Sequence, residues 1–354
     1  MIRKWFVLAM LVCLAAAACA APAALPTATA APTAVPPTAV PPTAAPTLEP
    51  PTAVPPTVAP TLPAPTAVPP TAVPTTAPVA ATDEDGQVVK LAGPAQRIVS
   101  LGPSNTEILF ALGAGSQVVG RDELSDFPLA AKQVASVGSA FDKLNTEAIV
   151  ALKPDLVLAA DVVSPDQVKT LQGVGLTVFH LGNPKDFDGL YQNLMTVGLL
   201  TGHTPEATAL SADLKNRVTA VIDTVQKATS KPKVFYELDA TDPTKPFTPG
   251  PGSFVDTVIT LAGGQNVGDA LKDQWAQISS EQLVQDNPDV ILLGDAAYGI
   301  SIDSVGQRAG WGGLAAVKNK AVYAFDDNLV SRPGPRLVDG LETIAKLLHP
   351  ELFK

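Results

Sequence analysis

The chain has 354 residues, a formal net charge of −10 and a hydrophobic fraction of 46%. Two of its 24 basic residues and one of its 34 acidic residues precede residue 83, so the remainder has 22 basic and 33 acidic side chains and a net charge of −11. Nucleic acid and anionic membrane surfaces are therefore poor partners. About 270 residues suffice for one large domain or for two lobes that each bury a core.

Residues 1–19 have the features of a secretory signal. Two basic residues precede an apolar run from Trp5 to Ala18, which ends in small residues at Cys19. The sequence AAAAC resembles a bacterial lipoprotein cleavage box, so we expect Cys19 to carry lipid. The alternative is an ordinary signal peptidase site among the alanines. Cys13 lies inside the signal, so a lipidated Cys19 leaves the folded part without a thiol.

Residues 20–82 are expected to form a disordered tether. They are almost wholly Pro, Thr, Ala and Val, contain 19 of the 35 prolines, and have Glu49 as their only charge. Such a composition cannot bury a core and favours a solvated polyproline II spacer. We therefore expect the protein to be extracytoplasmic and held to the cell membrane through its lipid alone.

Strands and helices are expected to alternate after the tether. The apolar stretch at 97–101 predicts a buried strand, and Ser104 with Glu107 predicts a capping box at the start of the next helix. A strand at 233–238 and a helix with Ser253 and Asp256 at the same spacing repeat this plan. The pattern predicts an α/β fold with parallel sheets flanked by helices.

A single long helix is expected to join two lobes. Between 205 and 229, apolar residues recur at helical spacing along one face. We place the N-terminal lobe at 83–203, the linker helix at 204–231 and the C-terminal lobe at 232–354. A helix bends less readily than extended strands, so we expect limited closure of the lobes around a cleft.

One helix–turn–strand segment occurs twice in the chain. The sequence at 145–160 recurs at 279–294, so that Glu147 corresponds to Glu281 and a Pro-Asp pair is repeated in register. The same offset superposes Phe141 on Trp275. Each lobe should therefore bring one aromatic ring and one carboxylate to related places.

The motifs of common enzymes are absent from the sequence. There are three histidines, no two of them at a metal-ligand spacing, and there is no P-loop, zinc-protease helix or GxSxG elbow. We therefore expect no catalysis, no bound metal and no cofactor. His180 and Tyr236 stand at the ends of predicted strands, where ligands of parallel sheets collect. Both are candidates for ligand contact.

Four stretches resemble the helix-linked periplasmic substrate-binding proteins of ABC importers, whose members carry cobalamin, ferric siderophores or haem. They are NTE followed by LKPDLV, then SDFP, PFTPG and SRPGPR, and the resemblance covers about residues 95–350. It is strongest to the cobalamin-binding branch. It implies two lobes, a shallow cleft and delivery of a large amphipathic ligand, here a cobalamin-type corrinoid, to a dimeric permease. We expect the chain to be a monomer.

The resemblance also implies a set of cleft residues. Aromatic rings supply contact area at little entropic cost, and arginines offer forked donors to polar ligand groups. By position, the set is Phe127, Phe141, Phe247, Trp275, Arg332 and Arg336, with Asp326 or Asp327 nearby. The alternative for the three phenylalanines is the core of a lobe.

Two glutamates are implied as docking residues. In the family, carboxylates at the positions of Glu147 and Glu281 pair with arginines on the two permease subunits. The alternative is helix capping, because both glutamates fall in the first turn of a predicted helix.

Other cargoes and another class of protein stay open. Haem usually needs an axial ligand, for which His180 or Tyr236 is placed, and ferric siderophores favour a basic cleft, for which Arg121 joins Arg332 and Arg336. Outside the transport class, the alternatives are a secreted enzyme with nitrogenase-like lobes and a surface adhesion protein.

Overall fold

Two parallel four-stranded sheets, each flanked by helices, organise the computed structural model, which describes residues 77–353. The strands of the N-terminal sheet lie in the order Val118–Arg121, Ile98–Leu101, Leu156–Ala160 and Val178–Leu181. Those of the C-terminal sheet lie in the order Val322–Ala324, Val290–Leu293, Lys233–Glu237 and Gln265–Asn266. Neighbouring strands are parallel within both sheets. The predicted α/β class is confirmed. Cys19 and most of the expected tether lie outside the described residues.

The N-terminal lobe contains the first six strands and four helices. They are β1 Val79–Thr82, β2 Val88–Leu91, β3 Ile98–Leu101, α1 Pro103–Ala111, β4 Val118–Arg121, α2 Thr146–Ala151, β5 Leu156–Ala160, α3 Pro165–Gly173, β6 Val178–Leu181 and α4 Phe187–Thr201.

Helix α5, Thr204–Val225, leads to the C-terminal lobe. The elements of that lobe are β7 Lys233–Glu237, β8 Phe247–Pro249, α6 Phe254–Leu261, β9 Gln265–Asn266, β10 Trp275–Gln277, α7 Ser280–Asp286, β11 Val290–Leu293, α8 Ile302–Val305, α9 Ala315–Lys318, β12 Val322–Ala324, α10 Asn328–Ser331 and α11 Leu337–Leu348.

The central strands are buried on both faces. Every residue of β3, β5 and β11 is buried, as expected for parallel strands covered by helices on both sides. One hydrophobic cluster includes residues of both lobes and of α5. Within it, the Phe187 ring of α4 meets the Phe254 ring of α6 edge to face, with centroids 5.3 Å apart. This shared core, rather than α5 alone, opposes large movements of the lobes.

The tether ends earlier than its composition indicates. Residues 79–82, placed within it, form strand β1 and pair antiparallel with β2. The Asp83 carboxylate closes the hairpin by accepting the Gln87 amide at 2.7 Å. Residues 79–82 share the Val, Ala and Thr composition of the tether, so composition alone assigns them to it. They form a strand because residues 88–91 supply a partner strand.

The predicted capping box at α1 is wrong. Gly102 is the N-cap residue and makes no side-chain cap, while Ser104 and Glu107 lie inside the helix and are buried. The corresponding prediction at α6 is confirmed, because Ser253 caps that helix by accepting the Asp256 amide at 3.1 Å.

The repeated segment has the same structural role in both lobes. Asp155 accepts the backbone amide of Arg97, just before β3, and Asp289 accepts that of Lys233, which begins β7, at 3.0 and 2.8 Å. Lys153 and its counterpart Asn287 both have positive φ, at 47° and 46°. The repeated Pro-Asp pair thus ties each incoming loop to the first residues of a central strand.

Candidate ligand cleft

Phe127, Phe141 and Phe247 lie in segments that follow the carboxyl ends of sheet strands, where ligands of parallel sheets bind. In the N-terminal lobe, Phe127 follows β4, and the loop with Phe141 is tied to β4 because buried Asp122 accepts the Ala140 amide at 2.9 Å. In the C-terminal lobe, Phe247 pairs with Asp239 just beyond the end of β7.

Phe247 and Trp275 share one face of a small two-stranded sheet. Strand β8 pairs antiparallel with β10, with Phe247 opposite Gln277 and Trp275 opposite Pro249. Side chains at such diagonal positions point to the same side and lie within reach of each other. Phe247, Trp275 and Gln277 are exposed on this face, while Thr248 on the other face is buried.

The four candidate aromatic side chains are not core residues. The exposed fractions are 42% for Phe127, 68% for Phe141, 39% for Phe247 and 50% for Trp275. The alternative interpretation of the phenylalanines as lobe core is therefore wrong. Their exposed apolar rings are available to a partner.

Four charged residues connect the lobes, and we call them the interlobe ion-pair network. Arg336 donates from Nε and Nη2 to the two carboxylate oxygens of Glu107 at 2.9 and 2.6 Å. Arg332 Nη1 lies 2.6 Å from Asp126 Oδ1 and 3.5 Å from Glu107 Oε1. The Arg336 guanidinium also stacks over the Phe127 ring, 3.9 Å from its centroid. The sequence-predicted Phe127, Arg332 and Arg336 thus meet at one place.

Three of the four side chains in the interlobe ion-pair network are largely shielded from solvent, which strengthens their electrostatic interactions. The Glu107 side chain is 2% exposed, and those of Arg332 and Arg336 are 16% and 15% exposed. The hydrogen bond and charge of Glu107 raise the pKa of Arg336 above its usual value. Burial raises the pKa of Asp126, but the hydrogen bond and charge of Arg332 outweigh it and hold that pKa below its usual value. Both shifts favour the charged forms of Arg336 and Asp126 at neutral pH.

Tyr236 is not a ligand-facing residue. Its ring is fully buried, its hydroxyl donates to Asp327 Oδ1 at 2.5 Å, and it packs edge to face on Phe325. Burial and the neighbouring Asp327 carboxylate raise its pKa well above the usual value. The placement at a strand end was correct, but the side chain points into the lobe.

His180 and Arg121 are also engaged by the protein itself. The two ring nitrogens of His180, on edge strand β6, lie 3.1 Å from Asp85 and 2.9 Å from Asp161. Arg121 donates to the backbone carbonyl of Ala131 at 3.0 Å and to those that follow β4. Neither His180 nor Tyr236 presents a free atom for an axial haem ligand. Arg121 holds a loop rather than adding free charge to the cleft.

The repeated glutamates are free of the capping role. Asn145 caps α2 by accepting the Ala148 amide, and Ser279 caps α7 by accepting the Gln282 amide, at 2.9 and 3.1 Å. Glu147 and Glu281 are exposed in the first turns of these helices. Within residues 77–353, no hydrogen bond or ion pair involves either carboxylate.

Sequence reasoning missed the carboxylate partners of the cleft arginines and one exposed aromatic residue. Glu107 and Asp126 were not recognised as arginine partners, and no sequence spacing links α1 to a loop more than 200 residues later. Tyr298 is 88% exposed after β11. An aromatic residue in a predicted loop after an apolar strand was a usable signal for it.

Metal binding and membrane spanning find no support in the part of the chain that is described. Across 77–353, no cluster of His, Cys, Asp and Glu side chains has the arrangement of a metal site. Over the same range, no helix combines the length and apolar character that crossing a bilayer requires.

Comparison with known sequences identifies relatives among transport proteins. Residues 98–329 match the periplasmic binding protein family. The chain is 35% identical to an uncharacterized ABC transporter substrate-binding lipoprotein of Bacillus subtilis, over 78% of this chain and 87% of the relative. It is 30% identical to a vitamin B12-binding protein of Vibrio cholerae, over 72% of this chain and 90% of the relative.

Solved structures give the same picture. The periplasmic vitamin B12-binding protein of Vibrio cholerae superposes with a TM-score of 0.63 at 27% identity, over 73% of this chain and 98% of that one. A periplasmic heme-binding protein from Roseiflexus sp. RS-1 superposes with a TM-score of 0.66 at 27% identity, over 72% and 98%. The similar structures thus include proteins named for different cargoes.

Proposed function

The chain belongs to the periplasmic binding protein family and is a substrate-binding protein of an ABC transporter, and we propose that its cargo is a cobalamin-type corrinoid. Family membership identifies the chain as a transport protein, because the family and the relatives are binding proteins and not enzymes. A nitrogenase-like enzyme and an adhesion protein are no longer needed as explanations.

The observation that supports the corrinoid proposal is that exposed aromatic side chains occur together with two arginines whose charges are already balanced by carboxylates. Exposed aromatic side chains on both lobes suit a large flat ligand with apolar faces. The two arginines are already paired with carboxylates of the other lobe. A neutral ligand rich in amide groups fits such a site better than an anion does. The names of the cobalamin-binding and vitamin B12-binding relatives support the same cargo.

Haem and ferric siderophores are the alternative cargoes, favoured by the similarity to heme-binding structures. The engagement of His180 and Tyr236 within the protein argues against axial haem ligation. The absorption spectrum of protein purified from its native host separates the three cargoes, because corrins, haem and ferric siderophores absorb differently. A corrin spectrum supports the proposal, and a Soret band or a siderophore charge-transfer band contradicts it.

We also propose that Glu147 and Glu281 dock the two lobes onto a two-fold symmetric permease. Both carboxylates are exposed, unpaired within the described residues and placed at equivalent positions of the repeat. An exposed ion pair contributes only about 0.2 to 1 kcal/mol, so the two together should set orientation rather than supply most of the affinity.

The docking proposal predicts a separation of two properties. The double variant Glu147→Gln with Glu281→Gln should keep ligand affinity and melting temperature while complex formation with the permease falls. Glu206→Gln is a matched control, because Glu206 is an exposed first-turn glutamate of α5. Complex formation is measured by pull-down with the permease in detergent or nanodiscs. Normal complex formation by the double variant would refute docking through these carboxylates.

A further inference from the structure

The charges that surround the cleft arginines are unusual for an anion-binding site. Arg332 and Arg336 are matched by Asp126 and Glu107, both from the opposite lobe. Asp326 is exposed just after β12 and close enough to raise the pKa of Arg336 further, in support of the main effect of Glu107. The local sum of these five side chains is one negative charge.

We propose that Glu107 is a specificity-determining residue, which with Asp126 neutralises the cleft arginines so that the site accepts neutral, amide-rich ligands and rejects ligands that carry carboxylates. This inference rests on the proposed transport of a large amphipathic ligand. It deepens that function by stating the charge of the cargo.

Ligand carboxylates cannot readily take the place of Glu107. Its side chain is almost fully buried and meets Arg336 through two hydrogen bonds, a geometry that fixes both partners. A carboxylate on the ligand would meet arginines whose charge is already compensated, next to Asp326 and Asp126. Like charges at an interface suppress unwanted partners.

Three nitrogen atoms of Arg332 and Arg336 remain available to donate hydrogen bonds to neutral groups of a ligand. The hydrogen bonds of Arg336 use Nε and Nη2, and those of Arg332 use Nη1. Within the described residues, Nη1 of Arg336 and the Nε and Nη2 atoms of Arg332 have no hydrogen-bond acceptor. Amide carbonyls can accept from these atoms without bringing a second negative charge. The stack on Phe127 holds the plane of the Arg336 guanidinium.

Two pairs of probes that differ in charge test the proposal. The first pair is cyanocobalamin and its monocarboxylic acid derivative, and the second is haemin dimethyl ester and haemin. Dissociation constants are measured calorimetrically for the wild type and for Glu107→Gln and Asp126→Asn. Asp188→Asn removes an exposed carboxylate from the first turn of α4 and is the matched control. Asp126 is half-exposed, so its variant remains informative if the buried Glu107→Gln fails to fold.

The expected result is a preference for the neutral member of a pair by roughly tenfold in the wild type and the control, which falls at least about threefold in both variants. Equal binding of both members by the wild type, or an unchanged preference in the folded variants, overturns the specificity proposal. Binding of the haem pair alone overturns the corrinoid function but still tests the charge preference. Binding of neither pair contradicts both.

Discussion

Trp275 is the aromatic side chain whose removal should weaken ligand binding most. It lies on β10 of the small two-stranded sheet, near Phe247, and half of its surface is exposed. The variant Trp275→Ala therefore removes a ring that the fold itself covers only in part. Trp311, by contrast, is 0% exposed and contributes to the core of the C-terminal lobe.

The magnitude follows from the uncovered area. A tryptophan side chain buries up to ~250 Å² when it is fully enclosed, so a half-exposed one leaves on the order of 100 Å² for a ligand. At about 25 cal/mol per Å² this area is worth about 2.5 kcal/mol, or roughly a 70-fold increase in Kd. A loss of affinity of this size is typical of an aromatic residue at the centre of a binding site.

Calorimetric titration with cyanocobalamin measures the effect, and thermal melting monitors the fold. Trp275→Phe keeps a ring and should cost roughly threefold in Kd by the same area argument. Leu199→Ala is the control, because it removes an exposed apolar side chain from α4. An unchanged Kd for Trp275→Ala, with the melting temperature preserved, would refute the assignment of this ring to the site.

Two further predictions concern stability and anchoring. Burial, and then the charge of Glu237, raise the pKa of Asp295 to about 6, so the folded state loses stability as pH rises from ~4 to ~6 because the unfolded carboxyl ionises first. Asp295→Asn keeps an acceptor for the Ala240 amide. It should raise the free energy of unfolding by about 3 kcal/mol at pH 8 but little at pH 4. Urea titrations at both pH values check this, and an equal gain at both would contradict it. We also propose lipidation at Cys19. The variant Cys19→Ser should then move the protein from the detergent phase to the aqueous phase in Triton X-114 partitioning. An unchanged distribution between the phases would argue against a lipid anchor.

Periodicity and register predicted the features that depend on local sequence. The parallel sheets followed from continuous apolar strands alternating with helices, because burial on both faces leaves no polar alternation. The repeat at 145–160 and 279–294 predicted equivalent roles, and Asp155 and Asp289 indeed make the same contacts in their lobes. Phe127 and Trp275, which the family resemblance implied as cleft residues, are exposed, and their contact with ligand stays a prediction.

Predictions that depended on tertiary partners failed. Ser104 and Glu107 have capping-box spacing, yet Arg336 arrives from 229 residues along the chain and takes the Glu107 carboxylate. Tyr236 and His180 do stand at strand ends, but Asp327 and a pair of aspartates engage them. Local spacing cannot reveal such partners, because they are brought together by the packing of the two lobes.

Isothermal titration of the purified protein with cyanocobalamin determines whether the cleft binds a corrinoid. Parallel titrations with haemin and a neutral ferric hydroxamate complete the comparison. We predict saturable one-to-one binding of cyanocobalamin, tighter than that of either competitor, with little change in the far-UV circular dichroism. No binding of cyanocobalamin, together with tight binding of haemin or the ferric hydroxamate, would contradict it.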